Sequence, residues 1–243
     1  LDLRGTTLEL ADTLAAEAGT LQTDGATVLR LLDNTTLNFN GQKIFKALEH
    51  NSRTLTLGTA DTHLEFIDPL ILSAMVLHTQ DGSLSLQGTL TLDNGSLLDS
   101  TSGTLTLGGT ADNTSRLALP GTTLALQGDL AVSGTLATGA GSVLQRNGYA
   151  LDLSGGTLEL GGDLDLAGTT TDNATRLLLL ADASLDNSDN TSISTLDLNG
   201  FALTISMPRL SVSDPLVLET SGARLVTGQS SFHLNDRLKI DSG

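Results

Sequence analysis

Residues 151–160 read LDLSGGTLEL and residues 1–10 read LDLRGTTLEL, the same residue at eight of ten positions. Each phrase alternates apolar and polar residues, breaks at glycine, and alternates again. Period two is the period of a β-strand, and it sets every Leu on one face and every Thr, Ser, Asp or Glu on the other. The pattern recurs at 54–57, 83–86, 89–92, 104–107, 123–126, 163–166 and 195–198. Each run lasts four or five residues and ends at Gly, Asn-Gly or Asp-Asn, which accept positive φ and turn the chain.

Short strands with frequent turns suit a sandwich, a barrel or a solenoid. Self-similarity favours the solenoid, because stacked coils must keep their inward residues in register. Residues 110–117 (TADNTSRL) return as 170–177 (TTDNATRL). Asn-Gly pairs begin at Asn40, Asn94, Asn147 and Asn199, steps of 54, 53 and 52 residues. The expected fold is all-β, a right-handed parallel β-helix forming one elongated domain over 1–243. Coils of roughly 18 to 26 residues would give about ten to thirteen turns. The Asn-Gly beat is expected to enclose two or three of them.

Composition agrees with a narrow core of stacked layers. Cys and Trp are absent and aromatics make up 2%, so Leu must supply the apolar volume. The net charge of −16 comes from 28 acidic and 12 basic residues, only three of them Lys (Lys43, Lys46 and Lys239). Nucleic acid and anionic lipid need a clustered cationic patch, so this balance argues against both as partners. No disulfide framework is available. No apolar run approaches the roughly 18 residues of a membrane-spanning helix, so membrane insertion by this segment is not expected.

Three stretches depart from the pattern. Residues 42–53 (QKIFKALEHNSR) have helical spacing, and 68–78 (DPLILSAMVLH) are continuously apolar. The segment 42–78 is therefore expected to hold irregular or insertion-bearing coils, with minor helical insertions. A short helical turn over 11–19 would serve as an N-terminal cap. At the other end, 231–241 still alternate, so the rod is expected to continue past Gly243 or to abut a partner.

With LDLNGFALTI at 196–205 and NGYALDLSGGTLELGG at 147–162, the chain resembles bacterial β-helix surface proteins. These are filamentous-haemagglutinin-like exoproteins and autotransporter passenger domains. The resemblance implies an extracellular or cell-surface location, and a structural or adhesive role toward a glycan or protein of a surface or matrix.

Chemistry is sparse. Asp61, His63 and Glu65 would share one face of a strand, which makes them the candidate divalent-metal site or acid–base cluster. Asp163 and Asp165 share a face in the same way. His50, His63, His78 and His233 form no zinc spacing, and no nucleophile elbow or phosphate loop is present. The acidic surface would attract Ca²⁺, but the calcium-binding nonapeptide pattern is incomplete. Thr-x-Thr pairs at 54/56, 89/91 and 104/106 hint at an ice-binding face, which charge at equivalent positions interrupts. The expected role is non-catalytic: a stalk, adhesin or fibre segment. Its competitors are a β-helix polysaccharide lyase or hydrolase and a filament subunit that stacks end to end.

Overall fold

The computed structural model describes residues 1–16, 20–218 and 222–240. Among these, 34 strands and no helix occur, and every named strand pairing is parallel. From the third strand onward each sheet joins every third strand. The chain therefore winds as a three-faced β-solenoid of about 11 turns. At the spacing of hydrogen-bonded strands this makes a rod of about 50 Å.

The second face is the most continuous. Ten strands stack on it without interruption, from Leu14–Ala16 to Thr195–Asp197. The third face carries six strands, from Gly41–Phe45 to Val143–Gln145, then four more from Leu164–Asp165 to Arg224–Val226. The first face is divided into sheets of three, six and three strands.

Leu fixes the register. On the second face Leu55, Leu77, Leu98, Leu117, Leu136, Leu158, Leu177 and Leu196 lie directly above one another. All are buried. Their steps give coils of 19 to 22 residues. A one-residue slip would turn this whole column to water, so burial specifies the register strongly. Asn113 replaces an apolar residue between Leu92 and Val132 on the first face. Its amide donates to the Thr135 carbonyl (2.9 Å) and its oxygen accepts from the Ser115 N–H (2.9 Å), so it is buried with partners.

The repeated phrase marks one kind of corner. Gly5 and Gly155 have φ of 69° and 74°. The N–H of Gly5 donates to Asp24 in the next coil, and that of Gly155 to Asp172, both at 3.0 Å. The same Asp oxygen accepts from Ala26 and Thr27, or from Ala174 and Thr175. Thr27 and Thr175 hydroxyls in turn donate back to the carbonyls of Leu3 and Leu153. Asp and Thr thus clamp each turn to its neighbour. The backbone N–H groups, those of Gly5 and Gly155 foremost, hold both carboxyls below the ordinary carboxylate range.

The Asn-Gly beat encloses between two and three coils, as expected, but does not return to the same corner. Asn40 lies between the fourth and fifth strands, Asn94 between the twelfth and thirteenth, Asn147 between the twentieth and twenty-first, and Asn199 between the twenty-eighth and twenty-ninth. Eight strands separate each pair from the next, which is two and two-thirds turns. Successive pairs therefore occupy different corners of the triangle. Asn94, Asn147 and Asn199 adopt φ of 50°, 53° and 46°, followed by Gly at positive φ. Asn147 and Asn199 donate to Leu126 and Leu179 carbonyls one coil back, at 3.0 and 3.3 Å. Asn51 reaches the Leu31 carbonyl in the same way (3.1 Å).

The helical insertions are not found. Residues 42–53 contribute the strands Gly41–Phe45 and Ala47–Glu49. Lys43 points inward and Ile44 outward, so polarity is reversed at two adjacent positions and the period of two is masked. In 68–78, Leu70 and Leu72 face the core while Ile71 is 55% exposed. Ala74, at φ 51°, makes the corner before Val76–Gln80. Of the supposed N-terminal helical turn, Leu14–Ala16 is a strand. Residues 17–19 lie outside the described residues.

Candidate functional site

The outward side of the third face holds the candidate site. Gln42, His63, Ser83, Thr104 and Thr123 form one column, and Ile44, Glu65, Ser85, Thr106 and Ala125 form the next. A shallow groove of about 200 Å³ runs across His63, Ser83, Ser85, Thr104 and Thr106.

His63 and Glu65 share the outward face of Thr62–Phe66. Asp61 precedes that strand in an exposed turn, where its carbonyl accepts the Gly41 N–H (2.8 Å). His63 is exposed and Glu65 is buried. The Glu65 carboxylate accepts hydrogen bonds from the side-chain amides of Gln42 and Gln87, one from each neighbouring coil. Charge-assisted bonds of this kind satisfy a buried carboxylate without a counter-ion. Both Glu65 oxygens are engaged by amides. Among the described residues no group of three or more His, Asp or Glu is placed to hold a metal ion.

Gln42 and Gln87 were not singled out from the sequence. They lie 23 residues before and 22 after Glu65, one coil length in each direction. That spacing is the signal that would have found them. It becomes readable only once the coil length is known.

Asp163 and Asp165 part company. Asp163 accepts the N–H of Ser184 in the next coil (2.8 Å), and that residue's side chain and backbone hold its carboxyl below the ordinary range. Asp165 accepts the Ala167 N–H (2.8 Å) within its own turn. Asp129 and Asp182 behave as Asp163 does, binding the N–H groups of Ala150 and Ala202 at 2.8 Å each. These carboxylates are used for coil-to-coil cohesion.

Charge elsewhere forms vertical ladders. Arg30 bridges Glu9 and Glu49 on the coils before and after it, at 2.5 Å each. Arg116 reaches across an intervening coil to Glu159, with two bonds of 2.9 and 2.6 Å. His78 stands 3.1 Å from Asp99. The three Thr-x-Thr pairs are scattered: 54/56 on the second face, 91 on the first and 104/106 on the third. They compose no single flat array.

No protein-family model, no curated protein and no solved structure matches the chain.

Proposed function

We propose that this chain is a stiff, non-catalytic spacer within a secreted or cell-surface protein. It carries adhesive elements toward a glycan or protein partner, or joins further copies end to end. The observation behind this reading is the unbroken ten-strand stack of the second face. Each coil there touches chiefly its neighbours, so length is added one rung at a time and stiffness follows from a continuous ladder. Several outward carboxylates and amides are spent on adjoining coils. The resemblance of 147–162 and 196–205 to exoprotein and passenger-domain phrases supports the location.

Incubation with a panel of acidic and neutral glycans tests the role. Binding or inertness without cleavage is expected, whereas turnover of any polysaccharide ends the spacer reading. A second reading, a polysaccharide-active β-helix enzyme, draws on the groove beside His63. The same screen decides between the two. Surface labelling of producing cells tests location, and protection from the label would overturn it.

A further inference from the structure

Lys43 is the anomaly of the core. Its column on the third face continues as Leu64, Leu84, Leu105, Leu124 and Leu144, so an ammonium stands where each later coil of that six-strand sheet places Leu. The residue is only 8% exposed. Its Nζ lies 5.6 Å from the centroid of the Phe39 ring. Among the described residues it has neither an acidic partner nor a hydrogen bond. A cation–π contact offsets only part of the cost of desolvating an ammonium.

The surroundings of Lys43 are open on one side. The sheet of the third face begins at Gly41–Phe45. In the coil before it, Gln22 bridges to Asp2 and is not laddered to that strand. A slot of about 400 Å³ separates the two, lined by Arg4, Gln22, Thr23, Gln42 and Lys43. The Thr23 hydroxyl is buried there without a hydrogen-bond partner among the described residues. The Arg4 guanidinium at the rim is engaged by Asp2 at 2.9 and 2.7 Å. Lys43, whose side chain is buried, and Thr23, whose hydroxyl is unsatisfied, thus both line one opening. Both can donate hydrogen bonds, and the ammonium adds a full positive charge.

We propose that this slot binds one small oxyanion, a sulfate, phosphate or carboxylate group, with Lys43 as its charge partner and Thr23 as a hydroxyl donor. Such an anion completes the ion pair that the sequence omits. This inference stands independently of the spacer reading, because it concerns one slot at the first coils.

Calorimetric titration of the full chain with inorganic sulfate, inorganic phosphate and glucuronate tests it. One saturable site per chain is expected for at least one of these probes. Lys43→Met, which matches the Leu of the later coils, should weaken that site by at least about tenfold. Lys43→Arg should retain it. Thermal melting supplies a second readout: the bound anion raises the midpoint of wild type but not of Lys43→Met. Equal stabilisation of both proteins is only the general effect of an excluded salt and overturns the proposal. So does saturable binding that survives Lys43→Met, or no saturable binding to any probe. Tighter binding of glucuronate than of the inorganic ions identifies a sugar-borne carboxylate as the source, and the reverse order identifies a free ion.

Discussion

Residues 42–78 span nearly two coils and 151–179 about one and a half, and their strand lengths are the reverse of what their sequences suggest. The Leu-rich second stretch reads as the more regular. Yet it contains three two-residue strands, Leu151–Asp152, Leu164–Asp165 and Thr169–Thr170. The first stretch mixes Lys, His, Phe and Pro, holds the five-residue strand Thr62–Phe66 and runs into another, Val76–Gln80. Side-chain capture of the backbone explains the contrast. Asp152, Asp165 and Asp172 each accept the N–H two residues on, at 2.9, 2.8 and 3.0 Å. Asx turns of this kind compete with the ladder and end strands early. Around 42–78 the bulky Phe45 and Phe66 are buried against each other, 5.9 Å between ring centroids, and the backbone stays extended. Core continuity and strand length therefore have separate causes. Inward columns set the first, and Asp placement sets the second.

The largest test places a charge in the Leu-rich column. Leu160→Asp buries a carboxylate in an apolar stack and should cost about 4–5 kcal/mol, or leave the residue protonated and still strongly destabilising. Melting midpoints equal to wild type would refute the register. Next comes the aromatic stretch. Phe66→Ala opens a cavity and should cost about 3–4 kcal/mol in denaturant titration. A value near 1 would mean that residues 42–78 pack loosely after all, and the comparison would collapse.

Acid should weaken the Asp-clamped corners. The carboxyls of Asp24 and Asp172 sit below their ordinary value near 4. Their stabilisation is fully present above that value and fades as pH falls through the lower folded one. Asp172→Asn should cost about 1 kcal/mol at neutral pH and should flatten the acid limb of a plot of melting temperature against pH. An unchanged limb would assign acid sensitivity to other groups. The smallest effect belongs to the outward column of the second face. Thr157→Asp, between Thr135 and Arg176, should stay within about 0.5 kcal/mol.

Much of the fold was legible because period two at Thr54–Leu57 or Thr104–Leu107 has one physical meaning. Coil length and the number of turns followed from the same ladder. Lys43 and Ile44 defeated the reading where they exchange inside and outside, and a helix was expected in their place. The candidate site was legible only along the chain. His63 and Glu65 on one face can be read from local alternation, but the Gln42 and Gln87 amides that take up Glu65 arrive from other coils. The Asn-Gly beat was visible as a number, and its meaning needed the triangle.

That beat has a consequence for display. Two and two-thirds turns move each Asn-Gly bend a third of the circumference from the last, so Asn40, Asn94 and Asn147 point along three edges and Asn199 returns to the first. Loops lengthened at these four bends would radiate evenly around the shaft. Neighbouring appendages would never crowd one side, and a surface approaching from any direction would meet one.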